Sequence, residues 1–363
     1  MKKSLFIMAL GAIALTSCSQ DEIIEVQKDA ISFAAFSDNA SRATETTTAT
    51  INSFKVWGVS EQEDGILYIP GVEYNRSSAG APATGQWDRY DSGYYWPAGE
   101  MNFWSVSPSD VANVELANAY DVVTISDYTA GVASGENYDA TSQVDLLYAV
   151  AANQTKATDE GNVDLHFKHA LSQVEFKVKV DATFPQDIDV TVNNVKINKL
   201  STTETFTFNI DGTAQWSTTA ATKKDYIVES FVGDANTIDY TVGTAEETGL
   251  TTSMFVIPQA KNTAATQSAG VWDANGLFIL DADITTTTAG GDVVKLVTDE
   301  PTYVPVTFNW QPGYKYVYTF TYSKTGNGGV DKDGDDQLVK ILLTCDVTPF
   351  APTDPAETTV PLQ

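Results

Sequence analysis

Residues 174–180 read VEFKVKV, a stretch in which apolar and charged side chains alternate without a break. Successive side chains of a β-strand point to opposite faces, so this pattern predicts a strand with one face on a core and the other toward solvent. The core-facing set is Val174, Phe176, Val178 and Val180, and the opposite set is Glu175, Lys177 and Lys179.

The same alternation recurs on both sides of this stretch, in IDVTV at 188–192, TFTFNI at 205–210 and YKYVYTFTY at 314–322. These runs are rich in Val, Thr, Phe and Tyr, and turn sequences such as NIDG, WDANG and DKDG separate them. The sequence shows no long apolar stripe of helical period. We therefore predict an all-β fold of mostly antiparallel strands, with sheets packed face to face.

A polar segment without alternation, AANQTKATDEGN at 151–162, lies near the middle of the chain. It is either a long loop within one domain or a boundary between two domains of ordinary size. The central position favours the boundary. A boundary at this place predicts an N-terminal β-sandwich domain at 43–155 and a C-terminal β-sandwich domain at 160–363.

The N-terminus carries Lys2 and Lys3, followed by an apolar run that is too short for a permanent membrane span. This pattern predicts a signal peptide at 1–17. The following LTSC resembles a bacterial lipobox, in which the cysteine becomes the lipidated first residue, so Cys18 is the predicted lipid anchor. The alternative is an ordinary signal peptide with a chance cysteine.

Charge and cysteine content exclude two classes of site. The net charge of −27 argues against nucleic acid as a partner, because phosphate binding needs clustered Lys and Arg. With Cys18 lipidated, Cys345 is the one remaining cysteine, which leaves no disulfide and no cysteine-based zinc site. Cys345 shares a predicted strand face with apolar neighbours and is expected to pack as a small apolar side chain. These neighbours are Val339, Ile341, Leu343 and Val347.

Two groups of residues invite a metal site. His166 and His169 form an HxxH pattern, but residues three apart on a strand face opposite sides, which argues against a shared ion. The acidic run VDKDGDDQ resembles a calcium loop, yet Gly334 is in the fourth rather than the sixth place. We favour a solvated hairpin turn there and leave calcium binding at 331–336 open.

A dense aromatic stretch, QWDRYDSGYYW at 86–96, is either a stacking platform for a glycan or core filling, and core filling is favoured. Its rings belong to Trp87, Tyr90, Tyr94, Tyr95 and Trp96. The sequence contains no nucleophile elbow and no phosphate-binding glycine loop, so we predict that the protein is not an enzyme and needs no cofactor.

Several short sequences follow one another in order along the chain. They are AISFAAFSDNASRATETTTATINSFKVWGVS, YYWPAGEMNFWSVSP, DLLYAVAANQT, FKHALSQVEFKVKV, FVIPQ, NWQPGYKYVYTFTY and LLTCDVTPF. The ordered set resembles the fimbrillin family of type V pili, over nearly the whole chain from about residue 18. The resemblance implies two β-sandwich domains with transthyretin-like topology.

The resemblance also implies an activation step. An exported lipoprotein precursor reaches the outer surface, where an arginine-specific protease removes its N-terminal segment together with the first strand. The opened groove then receives a strand from another subunit, which satisfies unpaired backbone groups and apolar pockets at once. In this sequence the removable strand matches AISFAAF, with Ile31, Phe33 and Ala35 as one candidate inward set. The lipidated propeptide is 18–42, and the cut falls between Arg42 and Ala43.

One departure from the family concerns the C-terminus, where stalk subunits carry the donated strand. Here that end contains Pro349, Pro352, Pro355 and Pro361, and proline cannot donate a ladder hydrogen bond. The expected function is therefore a structural, accessory or tip component of a pilus that contributes to adhesion.

The expected partners are other pilus subunits, an arginine-specific protease, the outer membrane through the lipid anchor, and a host glycan or protein receptor. The expected location is the outer membrane and then the fimbrium. The alternative is a lipid-anchored surface module that binds glycan without polymerising.

Overall fold

The structure is a computed structural model. It describes residues 30–37, 50–62, 65–76, 87–89, 93–130, 133–134, 137–138, 143–156, 162–184, 187–217, 223–228, 237–241, 243–249, 251, 253–297, 301–326 and 328–349. Every regular element in these residues is a β-strand, which confirms the predicted all-β class. None of them belongs to a helix long and apolar enough to cross a membrane.

The strands divide between the two halves of the chain. The first half contains β1 (Ser32–Ser37), β2 (Ser53–Ser60), β3 (Ile66–Arg76), β4 (Trp87–Arg89), β5 (Met101–Ser107), β6 (Val114–Leu116), β7 (Val122–Thr129), β8 (Ala133–Ser134), β9 (Asn137–Tyr138), β10 (Leu147–Gln154) and β11 (Asn162–His169). The second half contains β12 (Ser172–Val180), β13 (Ile188–Ser201), β14 (Thr203–Asn209), β15 (Ala214–Trp216), β16 (Lys223–Val228), β17 (Thr237–Tyr240), β18 (Glu246–Glu247), β19 (Met254–Val256), β20 (Ala260–Lys261), β21 (Gln267–Ser268), β22 (Val271–Trp272), β23 (Leu277–Thr287), β24 (Val293–Val297), β25 (Thr302–Pro305), β26 (Phe308–Asn309), β27 (Tyr314–Ser323), β28 (Gly328–Val330) and β29 (Asp336–Pro349).

The first sheet has the strand order β1-β11-β10-β5-β2-β3-β4 and buries apolar side chains on both faces. Along β2, Phe54 and Val56 enter one core while Trp57 and Val59 enter another, as the period of two requires. The first of these cores also holds the inward side chains of β1. The second lies against a four-stranded sheet with the order β15-β14-β7-β6, to which Phe206 and Phe208 contribute.

The second large sheet has twelve strands and rolls around a third core. Near one end of its strand order lies a parallel pair, β12 beside β27, and β29 runs antiparallel along the other side of β27. The inward residues expected from alternation lie in this core, which confirms the sequence prediction. They are Val174, Phe176, Val178 and Val180 of β12, and Tyr316, Tyr318, Phe320 and Tyr322 of β27.

Membership in the sheets does not follow the order of the chain. Strand β11, which begins at Asn162, pairs with β10 and β1 in the first sheet, and β14 pairs with β7 across the middle of the sequence. The first sheet therefore includes residues on both sides of the boundary expected at 155–160. The division of the chain into two domains at this point stays a prediction.

One residue of the opening stretch differs from its expected place. Glu175 belongs to the outward set of β12 but is only 4% exposed. Its carboxylate pairs with the Lys315 ammonium from β27 and accepts a hydrogen bond from Ser253 Oγ. Alternation gives the direction of a side chain correctly here, but it does not reveal that another segment covers the outward face at this end of the strand.

Candidate functional site

Strand β1 fills a groove along the edge of the first sheet. The inward side chains of this segment, Ile31 just before the strand and Phe33 and Ala35 within it, are 2%, 5% and 0% exposed, which confirms the inward set expected from the sequence. Fully burying a side chain such as Ile31 or Phe33 contributes on the order of 1.5–3 kcal/mol. The strand is thus held largely by side chains that enter the core.

Phe33 is the largest of these anchors. Its ring makes edge-to-face contacts with Phe54, Tyr74 and Phe103, at centroid distances of 6.4, 5.0 and 5.5 Å. The three partners come from β2, β3 and β5, so the Phe33 ring packs on strands beyond its ladder partner β11. Edge-to-face pairs contribute about 0.5–1.5 kcal/mol beyond the area that they bury.

The backbone of β1 pairs in parallel with β11, in a register that runs from Ser32 beside Asn162 to Ser37 beside Phe167. Its start is fastened on the other side, where the Ile31 amide donates to the Tyr94 carbonyl at 2.9 Å. Beyond that point, no strand of the described part of the chain pairs with the second edge of β1. β1 is therefore an edge strand with a ladder on one side.

The outer face of β1 carries a second aromatic contact. Phe36 stacks on the His166 ring at a centroid distance of 5.2 Å, with the planes 19° apart. His166 is exposed, whereas His169 is buried and its Nδ1 lies 2.9 Å from an Asp145 carboxylate oxygen. The two histidines therefore face opposite sides, as the strand geometry predicts. Within the residues that the structure describes, no three His, Cys, Asp or Glu side chains gather as a metal site.

Strands β1 and β2 follow each other along the chain but lie far apart in the first sheet. In the strand order β1 is four positions from β2, a distance of about 19 Å at the usual spacing of strands. The sequence between the two strands, residues 38–52, includes the predicted cleavage site at Arg42 and Ala43. That site and the predicted lipidation site at Cys18 lie outside the described residues.

Removal of β1 would change the edge of the sheet in two ways. The ladder groups of β11 between 162 and 167 would lose their partners, and the pocket between Phe54, Tyr74 and Phe103 would open to water. An edge with free backbone groups beside apolar pockets is what an added strand requires. This groove, lined by β11 and the three rings, is the candidate functional site and is called the β1 groove below.

A family model described as fimbrillin-like matches residues 41–345 of this sequence. The chain belongs to the fimbrillin-like family. A curated relative, the fimbrium subunit Fim1C of Phocaeicola vulgatus, is 24% identical over 231 residues, which are 56% of this chain and 58% of the relative. The match thus spans little more than half of that relative's length.

The fold of this fimbrillin-like chain also resembles a crystal structure of a fimbrial protein from Bacteroides vulgatus. The two share 16% identity with a TM-score of 0.58, and the match covers 89% of this chain and 100% of the other. At this identity the likeness concerns the fold alone.

The aromatic stretch of this family member packs against the first core instead of forming an open platform. Trp87, Tyr94 and Trp96 are partly buried on it, and Trp96 contacts Phe103 edge to face at 6.0 Å. Tyr95 is 42% exposed. Core filling is therefore confirmed for three of the five rings, and Tyr90 lies outside the described residues.

The two other arginines of the fimbrillin-like chain lie in the first sheet. The Arg76 guanidinium sits 5.4 Å from the centre of the Trp87 ring, and burial lowers the pKa of this arginine from its usual value. Arg89 pairs with Tyr74 in the backbone ladder of β3 and β4. A protease needs an extended, accessible segment, whereas the backbones of Arg76 and Arg89 are paired within strands. We therefore expect neither of these two arginines to be the first cut site.

The acidic run forms the hairpin turn between β28 and β29. The Asp331 carboxylate accepts hydrogen bonds from the amides of Asp333 and Asp335, both at 2.9 Å, and Gly334 takes a φ of 88°. This confirms the turn.

Strand β29 then runs to Pro349, with Cys345 half-buried on the third core. Burial raises the pKa of the Cys345 thiol to about 12. Residues 350–363 lie outside the described residues.

Proposed function

We propose that this chain is a structural subunit, or an accessory or tip component, of a type V pilus that contributes to adhesion. Assembly follows a cut between Arg42 and Ala43 and the exchange of β1 for a strand of another subunit. Membership in the fimbrillin-like family and the Fim1C relative support the pilus role. The observation that carries the activation step is the seating of β1, with three buried anchors and a ladder on one side.

The energetics of this strand fit a two-step release. A cut in the 38–52 connection breaks the covalent link, but Ile31 and Phe33 would still hold the strand with several kcal/mol of buried apolar surface. After the cut, β1 behaves as a bound peptide, and its occupancy depends on concentration and on competitors. A competing strand can then replace it without unfolding the rest of the sheet.

The proposal includes a path to the cell surface. Residues 1–17 act as the signal peptide, Cys18 carries the lipid that anchors the precursor in the outer membrane, and an arginine-specific protease makes the cut. Other pilus subunits are the partners after activation, and a host glycan or protein is the receptor. The role is structural, without catalysis or a cofactor.

The test is to treat the purified precursor with an arginine-specific protease and to sequence the new N-terminus. We expect Ala43 as the first residue, and we expect the cut protein, but not the uncut one, to form higher oligomers with partner subunits. Oligomers are detected by SDS-resistant ladders and electron microscopy.

Arg42→Ala is the matched control, because it removes the cut site and leaves β1 unchanged. We expect this variant to stay monomeric under the same treatment. A first cut at Arg76 or Arg89, or an Arg42→Ala variant that assembles as readily as the natural chain, would contradict the proposal.

A further inference from the structure

The β1 groove makes a different demand at each of its three apolar inward positions. Ile31 fills an aliphatic place, Phe33 an aromatic one, and Ala35 a place with no exposed surface at all. The positions are two residues apart, as on one face of a strand. The groove therefore specifies a pattern of size and shape as well as general apolar character.

The middle position selects an aromatic ring. Three rings, from Phe54, Tyr74 and Phe103, surround Phe33 at interplanar angles of 71° to 82°. A branched aliphatic side chain would keep part of the buried area but lose these edge-to-face contacts and leave a cavity between the rings.

The third position selects a small side chain. Ala35 is completely buried and its backbone lies beside Leu165 of β11. A leucine at this position would have to displace packed neighbours or push the strand away from β11. The place can accept alanine, glycine or serine without that displacement.

Residues 350–363 of this chain, FAPTDPAETTVPLQ, do not supply the pattern. Their one aromatic residue is Phe350, and the residues two positions away are Thr348 and Pro352, so neither direction gives an aliphatic and a small neighbour. Thr348 is also already paired with Lys315 in the second large sheet. The alternating set farther along is Ala356, Thr358, Val360 and Leu362, which has no ring.

We propose that the emptied β1 groove accepts a strand of a different polypeptide, with an aliphatic, an aromatic and a small residue at positions i, i+2 and i+4. The 350–363 segment of a second copy is a poor occupant, so this chain joins unlike subunits instead of forming a homopolymer through that segment. This inference rests on the proposed removal of the strand before Arg42.

The first arm of the test needs no cleavage and uses the intact chain. Phe33→Tyr keeps the ring, Phe33→Val removes it, and the triple variant Ile31→Thr, Phe33→Val, Ala35→Leu places the side chains of 358, 360 and 362 in the groove. We expect the melting temperature to stay near that of the natural chain for Phe33→Tyr, to fall for Phe33→Val, and to fall most for the triple variant. A triple variant as stable as the natural chain would overturn the inference, whatever happens at Arg42.

The second arm uses the full chain cut at Arg42 and measures which peptides replace β1, by the fluorescence anisotropy of labelled peptides. The set contains residues 30–38, the same peptide with Phe33→Val, residues 350–363, and the last with Val360→Phe and Leu362→Ala. We expect the Phe33→Val change to weaken binding at least about 10-fold. The 350–363 peptide should be weaker still, and its double substitution should recover affinity.

The outcomes separate the two proposals. If the chain is not cut at Arg42, the activation proposal fails while the first arm still reports on the selectivity of the groove. If the chain is cut and the 350–363 peptide binds within about threefold of the 30–38 peptide, the activation proposal stands and the selectivity inference is overturned. A cut chain in which no peptide replaces β1 would overturn the exchange itself.

Discussion

The first and last strands of the described chain, β1 and β29, both place side chains in a core but differ in how much of their backbone is paired. β1 has six residues and a ladder on one side, yet its anchors Ile31 and Phe33 are at most 5% exposed. β29 has fourteen residues, pairs with β27 at ten positions and also pairs with β28. Its inward side chains Val339 and Ile341 are buried, and Leu343, Cys345 and Val347 farther along are partly buried.

The difference separates two kinds of attachment. A strand held by side chains in pockets can be exchanged for another strand that offers similar side chains, whereas a strand held by a long ladder is part of the sheet itself. The longer, two-sided pairing of β29 agrees with the proposal that β1, and not β29, is the strand that is exchanged.

The largest expected effect concerns the buried ion pair that joins β12 to β27, the strand that carries the ladder of β29. Lys315→Met would leave the buried Glu175 carboxylate without its countercharge, so we expect a loss of about 3–5 kcal/mol in the free energy of unfolding. Urea unfolding followed by circular dichroism measures it.

Lys177→Met is the matched control, because it also breaks an ion pair, in which Lys177 Nζ lies 3.1 Å from a Glu247 carboxylate oxygen. This second pair is in contact with solvent, since Glu247 is half-exposed. The expected change is within about 1 kcal/mol. A Lys315→Met protein that unfolds at the urea concentration of the natural protein would show that the buried pair contributes nothing to this part of the sheet.

A second prediction compares side-chain anchoring directly. Ile31→Ala should cost about 2–4 kcal/mol of β1 attachment because Ile31 is fully buried, whereas Leu343→Ala should cost about 1 kcal/mol because Leu343 is half-buried. Hydrogen exchange of the amides in β11 and β27 reports the two losses locally. A larger loss for Leu343→Ala would reverse the comparison.

A third prediction concerns how the stability of the protein depends on pH through Cys345 in β29. Because burial raises the pKa of the Cys345 thiol to about 12 from an ordinary value of 9.0, the neutral thiol is favoured in the folded state. The contribution of the thiol to the free energy of unfolding is therefore present below pH 9 and is lost as the pH rises from 9 toward 12.

Between pH 8 and pH 10 we therefore expect the natural chain to lose about 1 kcal/mol more stability than Cys345→Ala. Urea unfolding at the two pH values gives the difference. Equal losses for the two proteins would mean that burial does not raise the pKa of the Cys345 thiol.

The smallest expected effect concerns the outer face of β1. His166→Ala removes the stack on Phe36 and should weaken β1 attachment by about 0.5–1 kcal/mol, measured by hydrogen exchange at pH 7.5. Lys168→Ala changes an exposed residue on the same face of β11 and serves as the control. If both variants behave alike, the stack does not help to hold the strand.

Much of this fold can be read from local pattern. The alternation in 174–180 and 314–322 gives the inward residues of β12 and β27 correctly, and the small and large residues of AISFAAF give the anchors of β1. Period-two alternation reports which side chains share a face, and burial then follows wherever one face meets a core.

The rest depends on contacts between distant parts of the chain. No local pattern pairs β1 in parallel with β11, or brings Phe54, Tyr74 and Phe103 around Phe33, because these residues are far apart in sequence. The burial of Glu175 likewise depends on Ser253 and Lys315. The sequence alone therefore identifies the strand that fills the groove but not the walls of the groove.

The parallel pairing of β1 has a consequence for the order of folding. Ser32 bonds to Asn162, 130 residues later, whereas β2 and β3 pair across a short connection. Closing the larger loop costs more chain entropy, and β1 can pair only after β11 has taken its place in the sheet. We therefore expect β1 to dock last. Pulse-labelling hydrogen exchange during refolding would show this as late protection of residues 32–37, and early protection would contradict it. If β1 is removed as proposed, the groove would be empty at two stages, once during folding before β1 docks and once after the cut.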